Sequence, residues 1–313
     1  MNLKGFLNLL IVYIVWGSTY LAIRIGVREG TGFPPFTFAM IRLLVASSLL
    51  FLLAFLLKKK LKPTRRELMI LIFSGFLLWN GGNGIVMWTE QKVDSGYAAL
   101  MMGTMTIWVS LIERIMDRMR ITITLIISLI SGFLGIVFLN LKVLIDFDIE
   151  SIVYLLLLLL AALSWGTGTL VQGRKKVDLH PIVSSAYQQV AGGIGFLVMR
   201  IFFNEPIPKF SLETTLALVY LIIFGSIIAF TAFVVALKLL PSGIVMTYAY
   251  VNPVIALLLG WLILDEKITG WTIVGTILIL LGVTGIFRER YGKKTSLEMY
   301  NIVENTIRRR GRK

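Results

Sequence analysis

Charged residues interrupt this apolar chain at intervals that match the thickness of a bilayer. Nine runs, 5–23, 68–89, 95–112, 121–141, 151–173, 179–199, 214–237, 239–264 and 268–287, each hold 18 or more residues free of Asp, Glu, Lys and Arg. A helix of about 20 apolar residues crosses roughly 30 Å of hydrocarbon, so each run is long enough to span. A tenth stretch, 34–57, is equally apolar except for Arg42. It reads as a span carrying a charge that faces protein or water, not lipid. The run 5–23 lacks a small-residue cleavage site and exceeds a signal-peptide core, so it is expected to stay as a helix. The pattern predicts an all-α polytopic membrane protein with ten transmembrane helices.

Composition agrees: 57% of residues are hydrophobic and 15% charged, with a mean hydropathy of +0.85. A soluble domain carries about 25% charge. The net charge of +14 would point to nucleic acid in a soluble protein, but here the Lys and Arg flank spans and report topology. Alternate sides of the predicted bundle hold 23 and 7 of the 31 basic residues, with Arg42 inside a span. Positive charge is retained in the cytoplasm, which predicts both termini there, as an even number of spans requires. The chain has no Cys and one His, His180, so thiolate chemistry is excluded and metal or cofactor binding is not expected.

The second half repeats the first. At an offset of 147 residues Pro34 aligns with Pro181, Ser95-Gly96 with Ser242-Gly243, Ile121-Thr122 with Ile268-Thr269 and Gly135 with Gly282; Trp16-Gly17-Ser18 matches Trp165-Gly166-Thr167 at 149. The expected organisation is a five-helix repeat over 1–141, a linker over 142–150, a second repeat over 151–288 and a basic tail over 289–313. Because five is odd, the halves enter the membrane from opposite sides. Such inverted repeats suit a secondary transporter, whose site lies near the midplane between them.

Depth along each span, at 1.5 Å per residue, selects the candidates. Asn80, Thr104, Thr106, Gln188, Gln189 and Asn252 lie near span centres, and Asn83 shares a helical face with Asn80, three residues apart. Gly81, Gly82 and Gly84 beside them allow close approach or local unwinding. Tyr13, Trp16, Trp79, Trp108, Trp165, Tyr187, Tyr248 and Tyr250 lie within spans and not at their ends, and Trp16 and Trp165, equivalent in the repeat, suit the wall of a cavity for an amphipathic solute. Thr19 follows Trp16 on the same helix. Arg42 needs a partner or water, and Glu90 on the same side predicts a pair that forms an extracellular gate or a structural bridge, with a substrate carboxylate as the other reading of Arg42. Glu90 is also the best coupling carboxylate. Pro253 after Asn252 is expected to kink its helix and act as a hinge. The cluster Glu113, Arg114, Asp117, Arg118 and Arg120 reads as a solvated charged face. Gly132, Gly135, Gly275, Gly282 and Gly285 mark tight helix packing or a dimer face, so a monomer and a homodimer are both open.

These segments together resemble an EamA-type member of the drug/metabolite transporter superfamily. The resemblance rests on Trp16-Gly17-Ser18-Thr19-Tyr20 through Arg24, Pro34-Pro35 with Arg42, Gly82-Asn83-Gly84 running to Glu90, Ser95-Gly96-Tyr97-Ala98-Ala99, Ser164-Trp165-Gly166, Gly225-Ser226, and Tyr248-Ala249-Tyr250-Val251-Asn252-Pro253 leading to Asp265-Glu266. It implies two inverted repeats around a central cavity and export of amino acids or related small metabolites by alternating access. The implied cavity lining supports Trp16, Asn80, Asn83, Trp165 and Asn252. Thr106 and Met119 depart from their repeat partners Pro253 and Glu266. The expected partners are a small-molecule substrate and the lipid bilayer of the cytoplasmic membrane. The alternatives are a lipid scramblase, which needs a polar groove open to lipid, and an intramembrane lipid-modifying enzyme, which needs an acid–base pair or nucleophile at depth that the spans do not offer.

Overall fold

Side chains that occupy the first free N–H groups set where the helices begin. Asn2 accepts from Gly5 N at 3.1 Å and starts α1, Leu3–Val27. Pro at the first position starts both α2, Pro35–Leu56, and α7, Pro181–Phe202, where its missing N–H costs nothing. A capping box of Thr64 and Glu67 opens α3, Arg65–Thr89, and one of Ser211 and Thr214 opens α8, Leu212–Leu239. Between them lie α4, Met105–Met116, α5, Ile123–Leu139, and α6, Glu150–Arg174; after them come α9, Ser242–Val245, α10 over 248–255 and α11 over 273–289.

The structure, a computed structural model, describes residues 2–28, 32–92, 98, 101–139, 150–208, 210–255, 270–271 and 273–289. The expectations for Ser95-Gly96-Tyr97, Ala99, the linker 142–149, Asp265-Glu266, Ile268-Thr269 and the tail from 290 lie outside these residues. Among the described residues every regular element is helical, and α1, α2, α3, α6, α7 and α8 are long and apolar enough to cross a membrane. Leu49, Leu52 and Phe55 on α2 and Ile223 and Phe224 on α8 stand exposed, an apolar exterior that suits lipid and not water.

Two helices widen mid-way. Phe76–Gly84 in α3 and Leu221–Ala229 in α8 run as π-helix, so the glycine-rich stretch of α3 widens without unwinding. Backbone carbonyls along these stretches bond neighbouring side chains: Leu77 O accepts from Ser164 Oγ at 2.9 Å, Gly225 O from Trp16 Nε1 at 3.2 Å, and Ser226 O from Gln189 Nε2 at 3.0 Å. Widened turns of this kind concentrate at functional sites. The glycines there seat α6: a Cβ on Gly82 would stand 2.8 Å from Trp165 Cε3.

The longest helix contacts are α2 on α7, α3 on α6 and α1 on α8. On the far side, α5 and α11 meet through glycine. A Cβ on Gly135 would lie 2.7 Å from Gly275 O, and one on Gly282 would lie 2.6 Å from Gly132 N. The small-residue stripe therefore faces itself within one chain. Pro253 sits inside the helical turns of α10, and the interruption falls earlier, at Met246 and Thr247, where Met246 O accepts Thr106 Oγ1 at 2.9 Å. The expected kink at Pro253 is thus displaced toward the N-terminus, into the residues that a neighbouring hydroxyl satisfies.

The cluster expected to be a solvated face is instead partly buried. Glu113 and Arg114 are 7% and 4% exposed. Arg114 pairs with Glu289 of α11, and Arg174 of α6 grips Asp117 through two bonds of 2.7 and 2.9 Å. These bonds tie α4 to α6 and α11 at the basic end of the bundle, the end that also carries Lys4 and Lys238.

Candidate functional site

Trp16, Thr19, Tyr20 and Ile23 fall on one face of α1 and line a central cavity. Trp79, Asn83 and Val86 of α3 face it from a second side, Trp165 of α6 and Arg42 of α2 from others, and Met102, Met105, Tyr248 and Asn252 complete it. The cavity holds about 50 Å³. That is room for a few waters.

An aromatic layer forms the cavity's wall toward the basic end. Trp16 stands edge-on to Trp165 at 5.6 Å and to Tyr248 at 4.9 Å, with Phe233 against Trp16 at 5.1 Å. Each ring fixes the next, because edge-to-face contacts constrain orientation as well as distance. Polar groups are mostly tied down. Trp16 donates to Gly225 O, Thr19 Oγ1 to Trp16 O at 2.9 Å, and the Tyr248 hydroxyl to Met105 Sδ at 3.3 Å. In the amide orientation that satisfies it, Asn252 donates to the carbonyls of Tyr13 and Tyr248 at 3.2 and 3.0 Å.

Several lining groups are not tied down, the Trp165 indole N–H among them. Asn83 bonds no other protein group among the described residues, and Arg42 is only partly engaged. Arg42 is 3% exposed; its Nε donates to Ser226 Oγ at 2.8 Å and its guanidinium lies 5.3 Å from the Trp79 ring centre, but Nη1 has no acceptor. The Trp79 indole N–H is also without one. A buried cation needs compensation. Among the described residues the protein supplies a hydroxyl and an aromatic face and no carboxylate.

Arg42 and Glu90 do not form the expected gate pair. The guanidinium turns toward α8, and both carboxylate oxygens of Glu90, buried at 6% exposure, accept no hydrogen bond. Glu90 and Pro253 stand outside the cavity, as do four expected substrate-binding residues. Asn80 points away from Asn83 and donates to Gly192 O of α7 at 3.1 Å. Thr104 bonds back to Met101 O at 2.6 Å. Gln188 donates to Ser74 Oγ at 2.8 Å and Gln172 Oε1 at 2.9 Å, joining α7 to α3 and α6. Tyr187 packs edge-on against Phe51 at 5.0 Å in a separate apolar cluster nearer the basic end. Trp16, Thr19, Asn83, Trp165, Tyr248, Asn252 and Arg42 do come together around one space.

The model of the EamA-like transporter family matches the chain twice, over 3–141 and 152–288. The chain belongs to that family. It is 30% identical over 285 residues to the uncharacterized transporter YoaV of Bacillus subtilis, covering 90% of this chain and 95% of that one. It is 33% identical over 252 residues to the uncharacterized inner membrane transporter YedA of Escherichia coli K12, covering 80% and 79%. A protein of known crystal structure shares the fold with a TM-score of 0.76 at 17% identity, over 90% of this chain and 95% of its own. The EamA-like chain is a multi-pass membrane transporter.

Sequence reasoning missed Tyr20, Ile23, Val86, Met102 and Met105 in the transporter's cavity, and singled out Trp79 only as an aromatic within a span. Tyr20 and Ile23 carried a signal, since they continue the helical stripe begun by Trp16 and Thr19, and Trp79 and Val86 flank Asn83 at the same spacing. Met102 and Met105 carried none.

Proposed function

We propose that this EamA-like protein is a secondary transporter that exports amino acids or related amphipathic metabolites across the cytoplasmic membrane by alternating access. Its ten helices form two inverted repeats, over 1–141 and 151–288, with both termini in the cytoplasm. The observation that carries the substrate class is Arg42. A buried guanidinium with a free Nη1, beside the free amide of Asn83 and under three indoles, suits a carboxylate attached to an apolar or aromatic body.

Two features support the repeat. Arg42 and Gln189, 147 residues apart, both bond Ser226, and the π-helical stretches begin at Phe76 and Leu221, within two residues of that same offset. The cavity volume supports the mechanism. Ligand pockets run to about 300 Å³ or more, so a space of about 50 Å³ must widen before an amino acid enters. With the basic end inward, the cavity leans outward and the aromatic layer and the Arg114–Glu289 and Arg174–Asp117 pairs close the inner side.

Counterflow in proteoliposomes tests this, using labelled amino acids, nucleosides and cationic drugs with and without a pH gradient. Saturable counterflow of an amino acid that its decarboxylated amine fails to compete is the expected result. If none of the solutes moved while labelled lipid equilibrated between leaflets, a scramblase would replace the carrier.

A further inference from the structure

Gly225 and Ser226 stand in the middle of the π-helical stretch of α8, Leu221–Ala229, behind the residues that line the central cavity. These two neighbours hold side chains from three other helices. Gly225 O accepts from Trp16 Nε1 of α1 at 3.2 Å, Ser226 Oγ from Arg42 Nε of α2 at 2.8 Å, and Ser226 O from Gln189 Nε2 of α7 at 3.0 Å. A carbonyl has two lone pairs, so each can hold a side chain while serving the helix ladder. Trp16 and Arg42 both line the cavity, so one step of one helix sets the place of an aromatic wall and of a cation together.

The hold on Arg42 fixes more than distance. A guanidinium is planar, and a hydrogen bond from Nε fixes the turn of that plane about the side-chain axis. The Trp79 ring, 5.3 Å from the guanidinium, fixes it a second time. With Nε given to Ser226, the fork left for a carboxylate is the end-on pair Nη1 and Nη2. Gly225 keeps the room this fork needs: a Cβ there would stand 3.1 Å from Arg42 Nη2 and 3.3 Å from Cγ2 of Thr19, another lining residue. The step is itself anchored from α7. Ser226 and Gln189 are fully buried, and turning the Gln189 amide would set its oxygen against Ser226 O, so one orientation serves. Buried hydrogen bonds of this kind lock the rotamers of the groups that meet a ligand.

We infer that Gly225 and Ser226 are positioning residues for substrate binding: Ser226 turns the Arg42 fork end-on to the substrate carboxylate, and Gly225 leaves that fork its space beside Thr19 and Trp16. The inference rests on the carboxylate reading of Arg42. It adds that affinity is set from α8, by two residues behind the cavity wall.

Counterflow of labelled leucine, phenylalanine and tryptophan, run separately in proteoliposomes at matched amounts of folded protein, tests this. For the amino acid carried, Ser226→Ala should raise the KM about tenfold and leave the maximal rate within about twofold, and Ser226→Thr, which keeps the hydroxyl, should restore most of the affinity. Gly225→Ala keeps every hydrogen bond of the step and should raise the KM as well, so it decides the matter should Ser226→Ala fail to fold. A packing role would weaken transport whatever replaces Arg42. Positioning would not: in an Arg42→Gln background, Ser226→Ala should change the KM by less than about twofold. Additive effects in that background, or a native KM in both Ser226→Ala and Gly225→Ala while Arg42→Gln raises it, overturn the inference and leave the carboxylate reading standing. The converse failure is read without transport. With 15N-labelled arginine in nanodiscs, the Nε–H signal lost in Arg42→Lys belongs to Arg42, and in Ser226→Ala it should exchange with solvent about tenfold faster or more. If none of the three amino acids is carried, or Arg42→Gln leaves the KM native, the carboxylate reading fails; faster exchange then still leaves Ser226 as the residue that orients Arg42, and unchanged exchange overturns that as well.

Discussion

Replacing Arg42 with Gln separates a substrate-binding cation from a structural one. The change removes a charged hydrogen bond to Ser226 Oγ, worth about 1.5–3 kcal/mol, and a cation–π contact with Trp79 worth ~0.5–2 kcal/mol. It also removes a charge whose placement at membrane depth costs about 2.5–3.5 kcal/mol, and the unpaired Nη1, whose desolvation adds to that cost. The two sides nearly cancel, so the unfolding midpoint should move by only a few degrees. Transport is a different matter. A charge-assisted bond to a substrate carboxylate is worth about 1.5–3 kcal/mol, so substrate affinity should fall about 10- to 100-fold. Arg42→Lys should recover part of that loss, because it keeps the charge and loses the planar fork. The assays are thermal unfolding in detergent and counterflow at matched amounts of folded protein. A variant that unfolds well below the native midpoint, yet transports with unchanged affinity when folded, would show that Arg42 serves α2–α8 packing and that the carboxylate reading is wrong.

Three further outcomes follow from the contacts. Asn80→Ala removes the bond to Gly192 O, so it should lower stability by about 0.6 kcal/mol or somewhat more while leaving substrate affinity unchanged; thermal unfolding and the KM for transport check this. Gly282→Ala places a methyl 2.6 Å from Gly132 N, and separating α5 from α11 should cost about 1–3 kcal/mol, whereas Gly270→Ala, with no described residue within 4 Å, should unfold at the native temperature. Glu205 caps α2 through Phe36 N at 2.8 Å and Thr37 N at 2.7 Å; Glu205→Gln should speed amide exchange at those two positions and lower stability by about 1 kcal/mol.

Depth was legible in the sequence because it needs only counting. Run length placed the starts of α2, α3, α7 and α8 within a few residues, and 1.5 Å per residue put Trp16, Trp165 and Asn252 at mid-bundle, where they line one cavity with Asn83. Direction around the helix axis was legible only where the helix is regular. On α1 the spacing of Trp16, Thr19, Tyr20 and Ile23 holds, and all four reach the cavity. Burial of polar groups was legible as well, but not their partners: Gln188 and Thr104 are as deep as the cavity residues and spend their hydrogen bonds on neighbouring helices and on their own backbone.

Asn80 and Asn83 mark where that reasoning ends. In an α-helix residues three apart lie on one side, which would aim both amides at the same ligand. Here they lie in the π-helical stretch Phe76–Gly84, whose wider turn rotates each residue less about the axis, so three steps fall short of a full turn by more than they would in an α-helix. One amide then faces α7 and the other the cavity. The glycines that make the stretch legible as special also let Trp165 approach, and Ser164 satisfies Leu77 O. The same residues that announce a site thus alter the helical period by which its side chains would be assigned.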